Sequence, residues 1–167
     1  MATLARPPVR AYVALGSNLD DPVSQVRAAM ADLGGLPGTR CVRCSRLYRS
    51  APVGPPGQPD YVNAVAALDT TLSPGTLLGR MQGIEAAHGR VRGGERWGPR
   101  TLDLDLLLFG DWRSDDPLLT VPHPRLAERA FVVFPLQEVG PDLVVPGLAP
   151  LAEIAMRLSP AGLEVLP

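Results

Sequence analysis

Two tracts of this 167-residue chain can be neither helix nor central strand, and they fix where regular structure has to fall. Ser50 to Asp60, SAPVGPPGQPD, holds four prolines and two glycines in eleven residues, and Gly89 to Pro99, GRVRGGERWGP, holds four glycines and three arginines. Ahead of the first tract, Val9 to Leu15 is apolar and β-compatible and ends at the Gly16-Ser17-Asn18 turn. Asp21 is placed to cap a helix beginning at Pro22, in which Val23, Val26, Met30 and Leu33 recur at helical spacing up to Gly34-Gly35. Thr39 to Tyr48 alternates as a second strand. Between the tracts, Tyr61 to Leu68 is a strand with Val62, Ala64, Ala66 and Leu68 on one face and Tyr61, Asn63 and Val65 on the other. Ser73-Pro74 then opens a helix that Leu77, Met81 and Ile84 carry to about His88. After the second tract, Thr101 to Phe109 alternates strongly and stops at a Gly-Asp turn.

The order β-α-β-β-α-β predicts an α+β chain with a ferredoxin-like core: a mainly antiparallel sheet, helices packed on one face, and extra C-terminal elements. Prolines at 122, 124, 135, 141, 146 and 150 break the C-terminal part into short pieces, of which Leu148 to Leu158 reads as a helix. A single catalytic domain over residues 1–167 is expected, and with 46% hydrophobic and 20% charged residues it has a globular composition. No apolar run approaches the roughly eighteen residues that cross a bilayer, and MATLARPPVR lacks the apolar core of a secretory signal, so the expected location is cytoplasmic. A net charge of -1 argues against a protein that coats nucleic acid or an anionic membrane. All 16 basic residues are arginine, which excludes a P-loop lysine, a Schiff-base lysine and a lysine general base. Cys41 and Cys44 form a lone CxxC whose spacing on a strand points the thiols to opposite faces, so a structural or incidental role is expected ahead of redox or zinc binding.

The chemistry concentrates around TLDLDLLLF. Asp103 and Asp105 are two apart, so a strand puts both carboxylates on one face and Leu102, Leu104 and Leu106 on the other. At about 6.6 Å and an effective dielectric of about 20 the pair repels by roughly 2.5 kcal/mol, which calls for cations nearby. Magnesium shared with substrate phosphates is one solution and neighbouring arginines are the other; spacing alone leaves both open. Just upstream, Arg90, Arg92, Arg96 and Arg100 face a single acid, Glu95, in a glycine-rich loop. Guanidinium forks match phosphate oxygens, so loop and carboxylates together read as a polyphosphate site. Tyr61, Asn63, Trp97 and Phe131 are candidates for holding a flat heterocycle, and His123, held between two prolines, for donating to phosphate.

The runs ALGSNL, YRSAPVG, QPDYVNA, RVRGGERWGPRTLDLDLLLFG and VPHPRLAERAFVVFPL resemble the 6-hydroxymethyl-7,8-dihydropterin pyrophosphokinases, in order and over nearly the whole chain. The resemblance implies transfer of the β,γ-diphosphate of ATP to the hydroxymethyl group of the pterin, with release of AMP, in folate biosynthesis. It implies two Mg²⁺ ions on Asp103 and Asp105, with ATP as co-substrate. It implies catalytic arginines at Arg90 and Arg92, in a mobile loop closing over ATP. A pterin site of Ser50, Val53, Tyr61, Asn63, Trp97 and Phe131 is implied. Nucleotide contacts are implied at Gln82, Glu85, Arg90, Arg92, Trp97, Arg100, Leu106, Thr120, His123 and Arg129. The partners expected are these small molecules, with no nucleic acid or membrane, for a monomer. Gly93 and Leu118 stand where some relatives carry basic residues, and Ser50-Ala51 replaces a Thr-Pro. Two other readings use the same residues: a ferredoxin-like RNA-binding module, against which the missing RNP1 pattern counts, and a metal-dependent phosphohydrolase, whose products are ADP and phosphate.

Overall fold

The computed structural model describes residues 7–52, 56–89 and 101–167. Strands β1 (Val9–Ser17), β2 (Thr39–Cys44), β3 (Tyr48–Ser50), β4 (Tyr61–Thr70), β5 (Asp103–Phe109) and β8 (Glu164–Val165) form one sheet. Its order is β5-β1-β4-β3-β8, β2 pairs with β4 beside β3, and every pairing is antiparallel. Strands β6 (Ser114–Asp116) and β7 (Leu119–Val121) make a separate hairpin.

Helices α1 (Pro22–Gly34) and α2 (Pro74–Ala87) cover one face of the sheet, where Val26, Leu33, Leu77 and Met81 pack against Val13, Leu15, Leu68, Leu104 and Leu106. Each such side chain, withdrawn fully from water, contributes about 1.5–3 kcal/mol before entropy is counted. His88 at the end of α2 joins Gln25 (2.6 Å) and Asp32 (3.0 Å) of α1, closing the two helices on each other. The βαββαβ core is therefore the expected one.

Four local expectations change. The first strand runs on through Gly16 and Ser17. Asp21 stands at the helix start in a left-handed conformation, φ 62°, with its carboxylate accepting from the Ser24 hydroxyl at 2.8 Å instead of capping a backbone amide. The expected strand Thr39–Tyr48 is divided into β2 and β3, with Ser45 between them taking the Val65 amide on its hydroxyl at 2.9 Å. A bulge between Cys41 and Arg43 shifts the register with β4, so the two cysteines do not diverge as an unbroken strand requires.

The largest correction is on the other face. Ala130–Val139 is a helix, α3, with Pro135 inside it, and the final helix, α4, spans only Leu151–Met156. Both pack on the face opposite α1 and α2, where Val133, Leu136 and Ile154 meet Tyr12, Val65, Ala67 and Leu107. Helices thus lie on both faces of the sheet. Burial of Val132, Val133, Leu136 and Val139 outweighs the hydrogen bond that Pro135 removes. Among the described residues no helix is long and apolar enough to cross a membrane.

Candidate active site

Register carries the polar residues into one row. Tyr48 on β3 pairs with Asn63 on β4, Asn63 with Gly16 on β1, and Gly16 with Asp103 on β5, so four strands present one line across the α3 side of the sheet. At about 4.8 Å per strand, Asp103 and Asn63 are held about 10 Å apart with no side chain between them. Gly16 keeps that gap open: a Cβ there would come within 3.5 Å of Asn63 Oδ1 and 3.7 Å of the Tyr61 ring.

One wall is built from Asn63, Ser50 and Tyr61. Asn63 is 5% exposed, and its Nδ2 donates to Ser50 Oγ at 2.7 Å, which fixes the orientation of the carboxamide. Its Oδ1 takes no hydrogen bond among the described residues and is turned toward Gly16. Tyr61 is half-buried beside it. Buried Asn18, just past β1, donates to Gln58 Oε1 at 3.3 Å and to the Pro59 carbonyl at 3.1 Å, tying the turn after β1 to the end of the proline-rich tract.

The floor and far wall come from β5 and the segment that follows β7. Asp103 and Asp105 share a face as expected, and both are half-exposed, whereas Leu102, Leu104 and Leu106 are buried beneath α1 and α2. The Leu106 side chain is thereby turned away from this face, so any contact it makes here runs through its backbone. Glu85, 3% exposed on α2, accepts the Leu104 amide at 3.0 Å. That amide lies between the two aspartates, so a buried carboxylate on one helix sets the strand that presents them.

His123 N–H donates to the Leu107 carbonyl at 3.0 Å, which docks the 121–124 segment on the edge of β5. The His123 Nδ1 accepts from the Arg125 amide at 3.2 Å, leaving the proton on Nε2, 3.9 Å from Asp105 Oδ1. Burial lowers the His123 pKa, Arg129 and Arg125 lower it further, and Asp105 opposes them, so the ring is neutral at physiological pH. Arg129 lies over the Phe131 ring, 5.7 Å from its centroid, at the start of α3. Thr120 donates to the Asp116 carbonyl at 2.9 Å within the β6–β7 hairpin, and Gln82 is exposed on α2. Leu118 is 84% exposed at the hairpin tip. Val53, Arg90, Arg92, Trp97 and Arg100 lie outside the described residues.

A support under the wall had no sequence signal. Tyr48 donates its hydroxyl to Glu138 Oε2 of α3 at 2.5 Å, and Arg46 donates to Glu138 Oε1 at 2.8 Å. Burial raises Glu138, but the hydrogen bonds from Tyr48 and Arg46 outweigh it and hold the carboxyl below its usual range. Burial, with the Glu138 carboxylate adding to it, pushes the Tyr48 phenol up to about 12. A raised phenol contributes stability that is present below its unfolded value near 10.0 and is lost as pH climbs toward 12. Tyr48→Phe is therefore expected to lower stability by about 1 kcal/mol at neutral pH, with the gap narrowing above pH 10, as followed by urea unfolding across alkaline pH.

Fold and site together define an α+β protein whose carboxylates, neutral imidazole, stacked guanidinium and aromatic–amide wall converge at one end of an antiparallel sheet. Residues 12–141 match the family model for 7,8-dihydro-6-hydroxymethylpterin-pyrophosphokinase (HPPK). The chain is 52% identical over 158 residues to the 2-amino-4-hydroxy-6-hydroxymethyldihydropteridine pyrophosphokinase of Pseudomonas aeruginosa, covering 95% of this chain and 97% of that one. To the enzyme of the same name from Haemophilus influenzae it is 47% identical over 151 residues, covering 90% and 94%. Among solved structures it resembles a Plasmodium falciparum HPPK-DHPS A437G protein with pteroate, TM-score 0.72 at 11% identity. That likeness covers 93% of this chain and 44% of the other, so the present chain spans less than half of that one. The chain belongs to the HPPK family.

Proposed function

We propose that the row from Asp103 to Asn63 is where this enzyme aligns a triphosphate with a pterin. The chain is an ATP-dependent diphosphokinase that transfers the pyrophosphoryl group to 6-hydroxymethyl-7,8-dihydropterin in folate biosynthesis. The observation that carries the site assignment is the register, which sets a carboxylate pair and a buried amide on one face with glycine between them.

On this reading the pterin lies against Tyr61 and Phe131, with Asn63 Oδ1 and the backbone near Ser50 and Val53 facing its edge and Trp97 sealing it. The ATP phosphates lie over Asp103 and Asp105, reached by His123 Nε2–H and by Arg90, Arg92, Arg100 and Arg129. Gln82, Thr120 and the Leu106 backbone face the nucleoside end. Glu85 acts from below, through the Leu104 amide, as a positioning residue.

Among the described residues no group of three or more His, Cys, Asp and Glu side chains comes together to hold a metal by itself. Two carboxylates fit Mg²⁺, which is ordinarily completed by phosphate oxygens and water. Two such ions, when bound, neutralise charge that builds on the phosphates. What the chain's own residues supply is placement: a fixed imidazole proton, a fixed amide and a gap that keeps hydroxyl and β-phosphorus adjacent.

Arg90→Ala and Arg92→Ala are expected to lower kcat by about 100-fold or more each while changing pterin affinity less than about threefold. Equal losses in turnover and pterin binding would remove them from the catalytic role. The reaction itself is tested by incubating the chain with ATP, Mg²⁺ and the pterin and separating the adenine nucleotides. Pterin-dependent AMP is the expected product. ADP with phosphate would make the chain a phosphohydrolase.

A further inference from the structure

Outside this site, the thiols of Cys41 and Cys44 meet on β2 with their sulfurs 3.1 Å apart. Three chain steps normally send strand side chains to opposite faces. Here Cys41 stands opposite Leu68, Arg43 opposite Ala67 and Cys44 opposite Ala66, so three steps on β2 match two on β4 and both cysteines emerge on the same side. Val42 turns instead toward the α3 side, while Cys41 packs against the core under α1 and α2. Partners two residues apart place the two Cα atoms about 6.7 Å from one another, at the upper end of the roughly 4.4–6.8 Å that disulfides bridge. Cys41 is half-buried and Cys44 is exposed. The contact between the two sulfurs lets one thiol of the pair ionise more readily than an isolated cysteine while the other keeps its proton. The pair lies on the opposite face of the sheet from Asp103 and Asn63, and the pterin and phosphate chemistry makes no use of it.

We propose that Cys41 and Cys44 form a modification site for low-molecular-weight disulfides, one thiol attacking and the other resolving. The thiolate of one cysteine attacks one sulfur of the small disulfide, forming a mixed disulfide and expelling one small thiolate, which takes up the proton that cysteine released. The other cysteine then loses its proton and attacks the first cysteine's sulfur, expelling the second small thiolate, which takes up that proton, and closing the Cys41–Cys44 bond. Two protein thiols are oxidised and one small disulfide is reduced to two thiols. Excess monothiol reverses both steps.

The test treats the reduced 167-residue chain with glutathione disulfide under native conditions, then blocks residual thiols and weighs the protein. The expected product is monomeric, lighter by two hydrogen atoms, with neither cysteine alkylated. Cys44→Ser and Cys41→Ser are each expected to accumulate a stable glutathionyl adduct on the remaining thiol. Both thiols remaining alkylatable in the wild-type chain would overturn the proposal. So would adducts persisting on both cysteines, or an intermolecular disulfide in place of the lighter monomer.

Discussion

Asp105→Ala is expected to reduce pterin-dependent AMP formation by about a thousandfold or more while leaving the fold as stable as before. The two halves of that result have separate causes. The Asp105 side chain is 45% exposed, and its contact with His123 is a long 3.9 Å, so its removal strips no buried group of a partner. It also relieves repulsion from Asp103, which screening at this exposure reduces to about 1 kcal/mol or less. A carboxylate that is neutral or slightly costly for folding is placed there for something other than stability. On the proposed reading Asp105 would hold ions that counter phosphate charge, and its loss would remove about 4 kcal/mol or more of transition-state stabilisation. Asp103→Ala should behave alike in turnover. Urea unfolding and AMP release, measured on the same preparations, check both halves. Wild-type turnover in either variant would rule out the carboxylates as metal seats.

The second large effect is expected at Asn63. Asn63→Ala deletes the amide that Ser50 orients and leaves the Ser50 hydroxyl without its 2.7 Å partner. A pterin edge desolvated against the vacated space then pays for unmade hydrogen bonds, so pterin affinity should fall by about 100-fold. Nucleotide affinity should stay within about twofold, because Asn63 stands two strands away from Asp103. Separate titrations with pterin and with a nonhydrolysable nucleotide distinguish this from general damage. Equal weakening of both ligands would mean that Asn63 supports the sheet and does not read the pterin.

The core and the two cleft walls were legible in the sequence for the same reason: strand alternation is a local signal. Polar Asn63 in an apolar strand and paired Asp103 and Asp105 in a leucine-rich one stand out without any tertiary knowledge. The family motifs added the identity of the ligands, which alternation cannot supply. Helix α3 was hidden because Pro135 is a breaker by local rules, and only burial against the sheet, a tertiary effect, overrides it. The bulge that joins Cys41 to Cys44 depends on how β2 is registered on β4, which no spacing within β2 reveals. Glu85 and Glu138 escaped notice as supports for the same reason. Their partners, the Leu104 amide and the Tyr48 hydroxyl, are 19 and 90 residues away along the chain.

Positioning through such long-range contacts ties the fold to the chemistry. Glu85 holds the strand between the aspartates, Glu138 holds α3 to β3, and the Leu107 carbonyl holds the His123 segment against β5. The measurement closest to the central claim is anomalous scattering from crystals grown with Mn²⁺ and a nonhydrolysable ATP analogue. Two manganese peaks bridging the phosphates to Asp103 and Asp105 are the predicted result. Carboxylates paired with arginine, and a triphosphate bound elsewhere on the molecule, would contradict it.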